Sequence, residues 1–194
     1  MNGALYFNHA GQFLIQLVFG SYILAVLLRF LLQWARADFY NPLVQVLVKL
    51  TNPPLLPLRR YIPGYRGLDM AAVVLMLLLQ LLELLLIAWL FGQPVTVSGL
   101  LVRGLAELLD LLLTVLLWAV IIQAILSWFN PDVRQPVVRL LNQLTEPVLR
   151  PARRLLPPIS GLDLSPLLVI IVLQLGRILL LAPLQDIGLA LLRS

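Results

Sequence analysis

The chain has 194 residues, 61% of them hydrophobic and 12% charged, with a net charge of +5 and a mean hydropathy of +0.97. A water-soluble domain carries about 25% charged residues, so this much apolar surface requires lipid as part of the solvent, and basic residues confined to short stretches between apolar runs argue against a nucleic-acid surface. The absence of cysteine excludes disulfides, thiolate catalysis, iron–sulfur ligation and cysteine-attached haem.

The first residues carry the single histidine, His9, and no basic side chain precedes Arg29. With no small-residue cleavage site in view, this stretch does not read as a removable signal peptide. One histidine cannot build a metal or bis-histidine haem site without partners, so neither metal nor cofactor is expected. Residues 13–34 are the first run able to cross the hydrocarbon as a helix, which takes about 20 apolar residues. Residues 70–91, 111–128 and 165–184 are the others, the third extended upstream by GLLVRGLAELLD. None alternates with period two, and backbone groups in lipid must be paired within their own segment, so helices rather than a barrel are expected. The fold class that follows is an all-α integral membrane protein with four transmembrane helices. Arg29, five residues before Trp34, can snorkel to the interface. Ser21 and Ala25 form a small-xxx-small face on the first span, of a kind that packs helices closely, so a homo-oligomer stays open.

Between the first two spans, Pro42 and Pro53 bracket LVQVLVKLTN, in which Gln45 and Lys49 share a helical face. A short amphipathic helix lying in the membrane interface accounts for this pattern; further core packing is the alternative. Pro53, Pro57 and Pro63 fix φ and withdraw amide donors. The chain there is expected to run extended and stiff, presenting Arg59 and Arg60 at headgroup level. Gly67 supplies a tight turn, and Asp69 is placed to cap the second span and to pair with the double arginine, a structural role more than a catalytic one.

The third loop repeats this punctuation. Thr51 and Thr145 lie 94 positions apart, and the same offset links Trp34 to Trp128, Pro42 to Pro136, Pro53 to Pro147, Pro57 to Pro151, Arg59 and Arg60 to Arg153 and Arg154, Pro63 to Pro157, Gly67 to Gly161, Asp69 to Asp163 and Gln80 to Gln174. Chance does not hold so many rare residues in one register. The units are residues 1–96 and 97–194, each a helix, a proline- and arginine-rich loop and a second helix. Each has an even number of spans, so the copies point the same way, as two parallel helical hairpins about an axis along the membrane normal. Arg139 and Gln143 repeat the polar face of the short helix, which Pro136 and Pro147 bracket.

The pattern T-x-P-x-x-x-P-x-R-R-x-x-P-x-x-x-G-L-D between two apolar helices, present twice, resembles the YggT (YlmG-type) family of small bacterial and plastid membrane proteins. The resemblance covers roughly the whole chain, and two copies in one chain resemble the proteobacterial members. It implies no enzymatic activity. It implies a connection with tolerance of osmotic shock, and, through relatives, with envelope or thylakoid organisation and cytochrome assembly, where a chain with one histidine would act as a scaffold.

Ten of the fourteen basic residues fall in the first and third loops: Arg36, Lys49, Arg59, Arg60, Arg66, Arg134, Arg139, Arg150, Arg153 and Arg154. Basic residues in short loops stay cytoplasmic. Both loops are therefore expected on the cytoplasmic side of the inner membrane, with both termini periplasmic. Lys49, Arg59, Arg60, Arg150, Arg153 and Arg154 are the candidate contacts, either to acidic lipid headgroups, at about 1 kcal/mol per residue, or to a membrane-protein partner; nothing points to nucleic acid.

Glu83 and Arg177 also stand 94 positions apart, in the second and fourth spans. An isolated ion near mid-bilayer costs at least about 2.5–3.5 kcal/mol, so a buried Glu83–Arg177 pair locking the halves together is expected; the other reading makes them conduction elements. Arg103, Glu107 and Asp110 share one helix face and can pair locally; on the conduction reading, Gln12, Gln16, Glu107 and Asp110 outline an outer vestibule leading toward Glu83. Two functions follow. One is a non-catalytic membrane scaffold or assembly factor connected with osmotic stress. The other is an ion channel or transporter-like protein, for which span three offers few polar groups: only Thr114, Gln123 and Ser127 after Asp110.

Overall fold

The computed structural model describes residues 3–65, 67–129, 132, 135–156 and 163–193. Helix α1 runs Gly3–Trp34, α2 Pro42–Tyr61, α3 Met70–Leu90, α4 Val97–Trp128, α5 Pro136–Leu155 and α6 Ser165–Gly176; a π-helical turn, Arg177–Leu181, continues α6 into α7, Ala182–Arg193. Among the described residues, four stretches are long and apolar enough to cross a membrane: α1, α3, α4 and the continuous α6–α7. Their outward faces carry Leu78, Leu82, Trp118, Ile122, Ile171 and Leu179, all exposed, a surface that only lipid solvates. The chain is a multi-pass membrane protein. At 1.5 Å per residue, α3 with 21 residues spans about 31 Å, close to the hydrocarbon thickness, while α1 and α4 with 32 residues each reach about 48 Å and extend past it.

The helix ends follow local chemistry. Pro42 opens α2 at a position that needs no amide donor, and the Asn41 side chain accepts from the Leu43 amide at 3.0 Å. Thr96 caps α4 through the Gly99 amide. Arg36 closes α1 with φ +53, and Ala37 donates back to the Leu32 carbonyl at 2.8 Å, a Schellman ending in which arginine takes the left-handed position usually given to glycine. Gly67, with φ +84, turns the chain into α3.

Helix α1 packs along α3, and α2 lies against both. Their shared core is Ile23, Val26, Leu27, Leu31, Val44, Leu55, Ala71, Ala72 and Leu75. Helix α4 packs on α3, α5, α6 and, most extensively, α7. A Cβ added at Gly99 would lie 2.7–2.9 Å from the Leu191 and Leu192 backbone, so the α4 and α7 backbones approach as only glycine permits. The two halves also meet where α2 and α5 begin: Asn41 Nδ2 donates to the Pro136 carbonyl at 2.9 Å, and Arg139 pairs with Asp38 at 3.3 Å.

Three expectations about the elements change. The first span begins at residue 3, not 13. The fourth continues past Pro183 to Arg193, because the π turn just before that proline relaxes the backbone where its missing amide and its ring would break an α-helix. Most consequentially, Pro53, Pro54 and Pro57 lie inside α2, and Pro147 and Pro151 inside α5. The chain there is helical, not extended. Pro54 leaves the Leu50 carbonyl without its usual donor, and Tyr22 Oη from α1 donates to it at 3.2 Å.

Candidate functional site

The duplicated motif residues form one set of contacts in each half, tying α2 to α1 and α3, and α5 to α4 and the start of α6. In the first half, Thr51 is wholly buried, and its hydroxyl accepts from Arg29 Nη1 at 2.6 Å while donating to the Leu47 carbonyl. About two turns on, Arg59 pairs with Asp69, whose other oxygen accepts from the Ala72 amide. That carboxylate caps α3 and ties α2 to it. In the second half, Thr145 is equally buried and bonds Gln123, which stands where the first half has Arg29, and Arg153 pairs with Asp163 at 3.0 Å. Asp163 is more open, at 39% against 5% for Asp69. Burial pushes its carboxyl up, but the Ser165 hydroxyl and amide and the Arg153 guanidinium outweigh that and hold it below the ordinary carboxylate range.

The two double arginines are therefore each divided by role. Arg59 and Arg153 are helix clamps. Arg60 and Arg154 are exposed, as are Lys49 and Arg150, and none of these four forms an ion pair among the described residues. Pro157 and Gly161, with Arg66 and Arg134, lie outside the described residues.

A second polar region lies deeper in the bundle. Gln80 Nε2 donates to Glu107 Oε2 at 2.7 Å and to Glu83 Oε2 at 3.4 Å, and Arg103 holds the other Glu107 oxygen at 2.9 Å. Glu83 and Gln80 are 7% and 6% exposed. Glu83, Arg103 and Glu107 border a cavity of about 420 Å³ that Gln12 and Gln16 also line; of the vestibule outlined from the sequence, Asp110 is missing from that wall because it binds Arg177. The Glu83–Arg177 pair is not formed. Arg177 instead binds Asp110 through Nε at 3.0 Å and Nη2 at 2.5 Å, and reaches Thr114 at 3.1 Å. The π turn begins at Arg177 and directs its guanidinium onto α4, while Glu83 faces the α3–α4 contact. Arg29 does not snorkel: it is 5% exposed, held inward by Thr51 and the Val48 carbonyl. Ala25 is buried within the bundle, so Ser21 and Ala25 do not form a free face. The sequence does not mark Gln123, Tyr22 or Gln80 as site residues. For Gln123 a signal existed, since it occupies the repeat position of Arg29. Among the described residues, no three His, Cys, Asp or Glu side chains gather as a metal site would need.

Comparison with known sequences settles what the repeated clamp belongs to. Residues 9–90 and, separately, 102–184 match the family model described as CCB3/YggT. The chain belongs to the CCB3/YggT family. It is 45% identical over 170 residues to an uncharacterized protein of Pseudomonas aeruginosa, covering 87% of this chain and 86% of that protein. It is 37% identical over 161 residues to the uncharacterized protein YggT of Escherichia coli K12, covering 83% and 84%. It is also 38% identical over 80 residues to the chloroplastic YlmG homolog protein 2 of Arabidopsis thaliana, 41% of this chain and 30% of that one. No solved structure matches. The two segments matched in this YggT-family chain each contain one Thr–Arg–Asp clamp: Thr51, Arg59 and Asp69, then Thr145, Arg153 and Asp163.

Proposed function

We propose that this YggT-family protein is a non-catalytic scaffold or assembly factor of the bacterial inner membrane, connected with osmotic-stress tolerance. In this reading α2 and α5 lie in the cytoplasmic leaflet as amphipathic helices of two parallel hairpin repeats, with both termini periplasmic. The observation that carries it is the division of labour within each double arginine. One guanidinium is consumed by the aspartate ahead of the next span, and the other stays exposed, as do Lys49 and Arg150 on the same helices, where they meet acidic headgroups or an acidic membrane partner. The clamp makes those helix ends stiff, which lipid attraction alone does not require.

The chain lacks cysteine, so single cysteines at positions 60 and 154 report topology without background. Both should label from the cytoplasm. Photocrosslinkers at the same positions should trap a membrane complex that the combined Lys49, Arg60, Arg150 and Arg154 to Ala variant no longer purifies, at unchanged expression. Labelling from opposite sides, or a complex indifferent to all four substitutions, refutes the reading.

The cavity beside Glu83 favours a second reading, ion conduction or exchange, because buried carboxylates inside lipid mark ion and proton pathways. Ion flux in liposomes that disappears in Glu83→Gln supports it, and silent liposomes count against it.

A further inference from the structure

We propose that the first half of the molecule carries a binding site for the phosphate of an anionic phospholipid, built around Arg29 and Arg59 and absent from the second half. Arg29 is 95% removed from solvent by its 5% exposure, yet its Nε–H finds no acceptor among the described residues. Its Nη1 is satisfied only by neutral oxygens, those of Thr51 and Val48. The nearby carboxylate of Asp69 is already engaged by Arg59 and by the Ala72 amide. Two guanidiniums thus stand near one carboxylate that pairs with Arg59 alone, and the surplus positive charge sits on the side chain that is least hydrated. A buried charge without a counter-ion is costly, and an anion seated against the part of Arg29 that lines the adjoining cavity offsets it.

A cavity of about 610 Å³ opens at this point, with Arg29, Gln33, Arg59 and Asp69 in its wall beside Phe39 and Ile62. Guanidiniums bind phosphate oxygens by paired N–H donors, and Gln33 adds an amide donor. Phe39 and Ile62 give the apolar wall that a glycerol backbone and the start of an acyl chain need. Depth agrees with a lipid. Arg29 lies five residues inside the end of α1, about 7.5 Å at 1.5 Å per residue, near where headgroup phosphates meet the hydrocarbon. At the matching position of the second half stands neutral Gln123, which bonds Thr145 and leaves no buried charge to neutralise. This inference rests on the reading that the α2 end of the bundle meets headgroups.

The test is native mass spectrometry of the full chain in dodecylmaltoside, titrated with phosphatidylglycerol or phosphatidylcholine. One phosphatidylglycerol per chain should be retained, and phosphatidylcholine should not. Arg29→Gln installs the residue the other half tolerates, so the Thr51 contact keeps a partner; it should weaken retention about tenfold, as for loss of one charged hydrogen-bonded contact. Gln33→Glu places a carboxylate inside the cavity and should abolish retention without lowering thermal stability. The Lys49, Arg60, Arg150 and Arg154 alanine variant should retain the lipid like wild type. Equal retention of both lipids, or wild-type retention in both Arg29→Gln and Gln33→Glu, overturns the site. Displacement by millimolar inorganic phosphate overturns the lipid assignment. Retention as expected, with position 60 labelling from the periplasm, would sink the orientation and leave the site standing.

Discussion

The two halves repeat the same Arg and Asp at the same spacing, yet the clamps differ in burial, and removing each aspartate measures that difference. Asp69→Ala takes away the acceptor of the Ala72 amide, an N-cap worth about 0.5–2 kcal/mol. It also strips Arg59, about one-third exposed, of its partner, which after solvent screening adds about 1 kcal/mol. The sum is about 1.5–3 kcal/mol. Asp163 is 39% exposed and, among the described residues, bonds Ser165 and Arg153, so Asp163→Ala should cost about 1 kcal/mol. Reversible unfolding by sodium dodecyl sulfate in dodecylmaltoside micelles, followed by far-ultraviolet circular dichroism, reads both. Equal losses, or no loss at Asp69, would refute the argument that burial of the cap sets its contribution.

Gly99→Ala drives a methyl to within 2.9 Å of the α7 backbone and should cost about 1–3 kcal/mol in the same assay, whereas Gly176→Ala, with nothing within 4 Å, should be neutral or stabilising. Because the Asp163 carboxyl is held low in the folded protein, its contribution is complete above the ordinary aspartate value, about 3.9, and is lost as pH falls through the lowered one. Asp163→Asn should therefore flatten the acid limb of stability below about pH 4, and an unchanged limb would count against the lowering. A double-mutant cycle between Asp110→Asn and Arg177→Gln should show coupling of about 1 kcal/mol. The cycle between Glu83→Gln and Arg177→Gln should be additive; coupling there would restore the pair that the fold separates.

Much of the architecture was legible in the residues alone. Four apolar runs, a 94-residue duplication, aspartates ahead of two spans and a tight turn at Gly67 all follow from composition and spacing, because length, capping and φ preference are local properties. So does the resemblance to the family, which the two matched segments establish. Partnership across helices was not legible. Spans that are leucine on every side carry no signal for which face turns inward, so equal positions in the repeat suggested Glu83 with Arg177, while packing delivered Arg177 to Asp110 and Glu83 to Gln80. The prolines show the same limit from another side. Read locally they forbid a helix, yet α2 continues through three of them with Tyr22 of a different helix supplying a donor to the Leu50 carbonyl. What the linear chain determined is what neighbours in sequence decide: that there are four spans, the cap and turn that open the second, and the duplication. What tertiary structure decided is which polar groups face one another, because a hydrogen bond or ion pair between helices depends on their rotation and crossing.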